Sequence, residues 1–251
     1  MGIILRAVFV LTLLHLGLVN GQIYNVLKYG AKGDGTTDDS EQLAFQGCNT
    51  LKIVGLKSFD SPRNHISIHD CKDVKIAKIT LVAPDDSPNT DGINIAMSTD
   101  VSISDSFIGT GDDCVALNNG SVNINITRMM CGPGHGISVG SLGRDGEESM
   151  VENVLVTNCT FNGTDNGARI KTWPESAVAI SNVTFANIQG TARRDEIIKI
   201  DCSKVTYCKD VVLDQIDITT VDGKDPVVEC SNVYGKSSHA NEVAGCFVQR
   251  P

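Results

Sequence analysis

The sequence predicts an all-β chain wound as a right-handed parallel β-helix, a solenoid of short strands, and three observations carry that prediction. The first is a recurring pattern in which a polar residue, usually Asn or Asp, precedes alternating aliphatics. It occurs as Asn49-Thr50-Leu51-Lys52-Ile53, Asp73-Val74-Lys75-Ile76, Asp100-Val101-Ser102-Ile103 and Ser121-Val122-Asn123-Ile124, and again as Asn153-Val154-Leu155-Val156, Asn182-Val183-Thr184-Phe185 and Asp210-Val211-Val212-Leu213. The first aliphatics fall at 51, 74, 101, 122, 154, 183 and 211, so the copies are 23, 27, 21, 32, 29 and 28 residues apart. Alternation with period two is the mark of a strand, and recurrence at this interval is the mark of a repeat architecture. The second observation is that the connections are short and rich in glycine, with 24 glycines in 251 residues. They leave no room for the crossover helices of a doubly wound sheet, and the two-residue Asn-Gly turns of a hairpin sandwich are nearly absent. The third is an aromatic content of 5%, which suits small, β-branched packing rather than a helical bundle.

Taken from the N-terminus, Arg6 precedes a mostly apolar run over residues 7–19, and Val19-Asn20-Gly21 offers small or aliphatic residues where a signal peptidase reads. Residues 1–21 are therefore expected to be a secretory signal peptide, with 22–251 forming one β-helix domain. No later run is long and apolar enough to span a bilayer. Five Asn-x-Ser/Thr acceptors, at Asn119, Asn125, Asn158, Asn162 and Asn182, suit a glycosylated, exported chain. Nine cysteines in such a chain point to disulfides, and the nearest pairs are Cys114–Cys131, Cys202–Cys208 and Cys230–Cys246. Cys48, Cys71 and Cys159 are left as small buried hydrophobes. A net charge of −9 argues against nucleic acid or an anionic membrane as partner, and the chain is expected to be a monomer. Inside the coils, Ile76, Ile103, Ile124, Val156 and Leu213 are expected to stack and hold the solenoid together.

In a solenoid, residues one period apart lie above one another, about 4.8 Å apart along the stack. Asp91 lies in Asn89-Thr90-Asp91-Gly92, Asp112 and Asp113 in Gly111-Asp112-Asp113-Cys114, and His135 in Gly134-His135-Gly136. The intervals of 21 and 23 residues are one coil each, so three carboxylates and a histidine are expected on one face. Arg169-Ile170-Lys171 alternates, placing both cations on one side of a strand. The flanking glycines read as positions where backbone approaches a ligand. Three carboxylates are enough oxygen ligands for calcium, although Arg169 and Lys171 would compete with it. They also suit glycoside hydrolysis, in which one carboxylic acid protonates the leaving oxygen and another carboxylate activates water. The cations would then hold an acidic sugar. Trp173, as a lone tryptophan, reads as core or rim packing before it reads as a sugar platform.

The four motifs, in this order, resemble the signatures of the polygalacturonases, glycoside hydrolase family 28. The wider context agrees in Ser87-Pro88-Asn89-Thr90-Asp91-Gly92-Ile93, in Cys131-Gly132-Pro133-Gly134-His135-Gly136-Ile137-Ser138 and in residues 169–173. Tyr29-Gly30-Ala31 and Gly33-Asp34-Gly35 fit the same family, and the whole looks like its plant branch. The resemblance implies a right-handed parallel β-helix that cleaves α-1,4 bonds of polygalacturonate in demethylated pectin, inverting the anomeric centre with no cofactor and no metal. It implies Asp112 as general acid, Asp91 and Asp113 as the groups that position and deprotonate water, and His135 as support for the acid. It also implies Arg169 and Lys171 as holders of substrate carboxylates and Asn89 as a shaper of the site, in a protein secreted to the cell wall. Residues 190–208 resemble exo-acting, pollen-type members.

One departure stands out. After Ala44-Phe45-Gln46 the family continues through several coils before the counterpart of Gly47-Cys48-Asn49, whereas here the two are joined directly. A block of N-terminal coils is therefore expected to be missing after about residue 46. A catalytically impaired wall-binding protein is the rival reading, and a pectate lyase on the same coils is the second. The Gly-His-Gly element argues against the lyase.

Overall fold

The computed structural model describes residues 43–174, 176–238 and 246–247. The expected signal peptide and the Tyr29-Gly30-Ala31 and Gly33-Asp34-Gly35 elements lie outside the described residues. Among the described residues no helix is long and apolar enough to cross a membrane. The described residues form two compact units, 43–144 with 149–173, and 145–148 with those from 174 on.

The first unit is a stack of coils, each giving one strand to each of three parallel sheets. The first sheet runs Ala44–Gln46, Ile66–His69, Ile93–Ala96, Val115–Leu117, Ile137–Leu142 and Ala168–Thr172. The second runs Asn49–Val54, Lys72–Ala77, Thr99–Ser104, Ser121–Thr127 and Val151–Thr157. The third is built from Lys57–Phe59, Thr80–Val82, Phe107–Gly109, Met130–Cys131 and Thr160–Phe161. The predicted solenoid of parallel strands is the architecture found. Ala44–Gln46 and Asn49–Val54 are both in register with the coil above (Ala44↔Ser67, Leu51↔Val74), so the two sides of the Gln46–Gly47 junction form one coil.

The repeat marks a backbone conformation as well as a strand. Asp73, Asp100, Asn123, Asn153, Asn182 and Asp210 each adopt a left-handed φ of 52–58° immediately before the inward aliphatic. Asn and Asp tolerate that region better than other residues with a Cβ, which is why the repeat begins with them. Their side chains also stack: the Asn123 amide donates to Asp100 at 2.9 Å, and the Asn153 amide donates to Asn123 at 3.0 Å. Two inner columns result, Leu51–Val74–Val101–Ile124–Val154 and Ile53–Ile76–Ile103–Ile126–Val156. The fourth repeat therefore aligns on Ile124, not Val122, because Asn123 rather than Ser121 takes the left-handed position. Ile124 belongs to the column beside Ile76 and Ile103, and Leu213 packs in the second unit with Phe185 and Ile216.

The second unit pairs Ser181–Ala192, Cys208–Thr220 and Val233–Ser238 in parallel, with Glu196–Asp201 against Val227–Ser231. Its disulfides are Cys202–Cys208 and Cys230–Cys246, and the first unit holds Cys114–Cys131, as the spacing predicted. Cys48, Cys71 and Cys159 are free; Cys71 is buried and the other two are half-buried against the same core. All five sequon asparagines are exposed.

His65 is the exception inside the first unit. It is buried, its Nδ1 lies 2.9 Å from Ser58 Oγ, and its Nε2 has no partner among the described residues. Burial pushes its pKa down from 6.5 to about 4. The folded state thus holds this imidazole neutral, with full benefit above pH 6.5 and progressive loss as pH falls towards 4. The loss amounts to about 3 kcal/mol by linkage. His65→Leu should therefore lose less stability than the parent between pH 6.5 and 4.5. Urea midpoints at the two pH values measure this, and parallel declines in parent and variant would refute it.

Candidate active site

The first sheet gathers the acidic motifs at its edge with the third. Gly92 pairs with neighbouring backbone so closely that a Cβ there would meet the Cys114 carbonyl at 2.7 Å, and a Cβ on Gly134 would strike the Asp112 carbonyl. Coil-to-coil packing therefore requires glycine at both positions, whatever else approaches them. Thr90 locks the same turn, donating to the Ser87 carbonyl at 2.9 Å and accepting the Gly111 N–H at 3.0 Å.

The side chains of Asp91, Asp112, Asp113, His135, Arg169 and Lys171 form one contiguous cluster. Asp91 Oδ1 and Asp112 Oδ1 converge on the backbone N–H of Asp113, at 3.3 and 2.8 Å. His135 Nδ1 lies 2.9 Å from Asp112 Oδ1, a hydrogen bond whose proton either group can carry. Asp113 is buried, and its Oδ1 accepts from the Ser138 hydroxyl and from Arg169 Nη2, both at 2.7 Å. Its Oδ2 accepts from Lys171 Nζ at 2.9 Å, and Arg169 Nε donates to Ser138 Oγ at 2.8 Å. Asn89 stands apart, exposed at a left-handed turn (φ 57°), and its side chain meets none of the six among the described residues.

The two cations therefore meet an internal carboxylate, where the sequence had suggested only a substrate's. The guanidinium carries five N–H groups and the ammonium three, so both retain donors beyond those spent on Asp113. Asp112, Asp113 and His135 are close enough to share an ion. Yet both Asp113 oxygens already receive cationic donors, which opposes a divalent cation at that spot. Trp173 is 43% exposed with the Arg144 guanidinium 5.2 Å from its ring centre, a rim contact of the cation–π kind.

The carboxylates are electrostatically unlike. Burial raises the pKa of Asp91 to about 7, and the charges of Asp112 and Asp113 push it the same way. Burial alone would also raise Asp113, but the hydrogen bonds from Ser138, Lys171 and Arg169 hold it below the usual range. The cluster thus pairs a carboxylate held ionised around neutrality with one that keeps a proton there, so the two are electrostatically distinct. If the Asp112 charge contributes as placed, Asp112→Asn should lower the Asp91 pKa. A carboxyl-carbon NMR titration reads this, and an unmoved Asp91 midpoint would show the two do not interact.

Ser138, Asn94 and Asn118 carried no role in the sequence reading. Asn94 Nδ2 donates to Asp91 Oδ2 at 3.1 Å, and Asn118 in turn bonds to Asn94. Ser138 faces Arg169 through strand register, Ser138↔Arg169, a pairing visible only once the coils are aligned.

The profile of glycosyl hydrolases family 28 matches residues 17–185 and 173–241. The chain belongs to that family. It is 40% identical to a probable polygalacturonase of Arabidopsis thaliana, over 79% of this chain and 53% of that protein. It is 34% identical to a polygalacturonase of Medicago sativa, over 89% of this chain and 64% of the relative. Among solved structures it resembles the polygalacturonase of Erwinia carotovora, with a TM-score of 0.61 and 26% identity, covering 77% of this chain and 59% of that one. The chain spans about half the length of the curated relatives it matches.

Proposed function

We propose that this family 28 chain hydrolyses α-1,4-galacturonosyl bonds of demethylated pectin with inversion, in the cell wall to which it is exported. The observation that carries the reading is the geometry of the carboxylate cluster, in which Asp112 shares a hydrogen bond with His135, Asp91 and Asp112 converge on one backbone N–H, and Asp113 is clamped by Arg169 and Lys171. Asp112 gives a proton to the leaving glycosidic oxygen and His135 steadies that proton. Asp91, once ionised, takes up the proton of a water that it and Asp113 orient for attack from the opposite side. The remaining donors of Arg169 and Lys171 hold a substrate carboxylate, and Asn89 lines the approach. The chemistry needs neither cofactor nor metal. The resemblance of residues 190–208 to exo-acting, pollen-type members favours exo action, releasing monomer from a chain end.

Reducing-sugar release and product sizing on polygalacturonate test the reading. Saturated monomer supports exo hydrolysis and a ladder of oligomers supports endo. Unsaturated, ultraviolet-absorbing products would assign a lyase instead, and no turnover with retained binding would assign an impaired wall-binding protein. In addition, Lys171→Ala should weaken polygalacturonate binding about tenfold, the scale of one charge-assisted hydrogen bond, while leaving a neutral glucan untouched. Equal losses for both polymers, by affinity electrophoresis, would show that Lys171 does not read charge.

A further inference from the structure

Charge is unevenly distributed along this chain. Residues 49–78 hold six basic and three acidic side chains, a net +3, against −12 for the remainder. The fold places three of these bases, Lys52, Lys72 and Lys75, on the second sheet. Lys52 and Lys75 occupy the same register position on adjacent strands of the second sheet, one coil apart and facing outward. Lys72, opposite Asn49 on the same strands, is exposed too, as is Lys57 at the start of the third sheet. Lys75 has an ion pair with Asp73 at 3.4 Å, while Lys52, Lys57 and Lys72 have none among the described residues. Asp60 and Asp70 sit at turns off the sheet face. Like charges stacked on neighbouring strands repel, and the exposed Lys75–Asp73 pair offsets only part of that cost.

We propose that this outward face of the second sheet is a second binding site, for a polyanionic glycan, distinct from the acid cluster on the first sheet. Lysines that rise by one coil step about 4.8 Å at a time along the stack, comparable to the advance of one sugar unit in an extended polymer. Beyond the lysines the same outward column continues through Ser102, whose hydroxyl suits sugar hydroxyls. Local positive charge on a protein of net −9 also answers the problem of approaching a polyanion, since the rest of the surface repels it. An acidic wall glycan is the polyanion chosen because the proposed function supplies one. The site would tether the chain to its polymer while cleavage proceeds elsewhere.

The test uses the full chain carrying Asp112→Asn, so that binding is read without turnover. Adding Lys52→Ser, Lys72→Ser and Lys75→Ser should reduce retention on immobilised polygalacturonate on the order of tenfold, from roughly half a kcal/mol per charge. The salt dependence of retention should flatten, and the matching Lys→Arg triple should behave as the parent does. In the active background, hydrolysis of trigalacturonate should be unchanged by the serine triple. Undiminished retention in the serine triple, or an equal loss on a neutral glucan, overturns the site. Parental preference for vesicles containing phosphatidylserine over polygalacturonate reassigns the face to membranes and overturns it too. A parent that cleaves nothing defeats the proposed function alone, because the retention measurements do not depend on cleavage.

Discussion

Asp112→Asn should reduce polygalacturonate hydrolysis by on the order of a thousandfold, within the range that a positioned general acid supplies. The substitution keeps the side chain's size and one oxygen, so the backbone N–H of Asp113, now 2.8 Å from Asp112 Oδ1, can still be satisfied. His135 also keeps a polar neighbour in place of the carboxylate it meets at 2.9 Å. What is lost is the dissociable proton, and a carboxamide has none to give to a leaving oxygen. A thousandfold loss corresponds to about 4 kcal/mol of barrier, too large for a general loosening of the site. Two readouts separate the roles. Thermal unfolding of the variant should match the parent, and turnover of a substrate with an activated leaving group should recover in part, because such a group departs with less help from an acid. A variant that retains more than a tenth of parental activity on the polymer would remove Asp112 from the acid role.

The architecture was legible because the solenoid writes its period into the chain. Polar-then-aliphatic repeats exposed the strands, and sequence spacing of 21 and 23 residues became proximity between Asp91, Asp112 and His135. Disulfides followed from short separations. Three things were not legible, each for a physical reason. The exact register of the fourth repeat depends on which residue takes a left-handed φ, and both Ser121 and Asn123 were plausible from pattern alone. The glycines around the acidic motifs looked like openings for a ligand, but the packing of one coil's backbone on the next demands them at Gly92 and Gly134. The engagement of Arg169 and Lys171 with Asp113 joins residues 56 and 58 positions apart across two coil steps, and nothing local in either motif signals it. Strand alternation said that the two cations face one way, not what they face.

That engagement gives Arg169 a structural role beside the binding role proposed for it, and Arg169→Leu should show it. The guanidinium contacts both Asp113 Oδ1 and Ser138 Oγ, and Ser138 itself donates to Asp113. Removing it leaves a carboxylate that is 3% exposed with Lys171 and one hydroxyl as its donors. Stripping one partner from a buried charge costs about 3 kcal/mol or more, because the remaining charge stays out of water without compensation. For a chain of this size the melting temperature should fall by about 10 °C. The pH dependence supplies the sign. Asp113 titrates below its unfolded value, so its contribution is present above the ordinary carboxylate range and disappears as pH falls through the folded value. The gap between parent and variant should therefore be widest near neutrality and close in acid, where Asp113 is protonated in both. Arg169→Lys should fall between them, since an ammonium restores the charge but cannot bridge Asp113 and Ser138 with a planar fork. If Arg169 served only to hold substrate, the variant would bind polygalacturonate poorly yet melt with the parent at every pH, and the clamp on Asp113 would have no energetic weight.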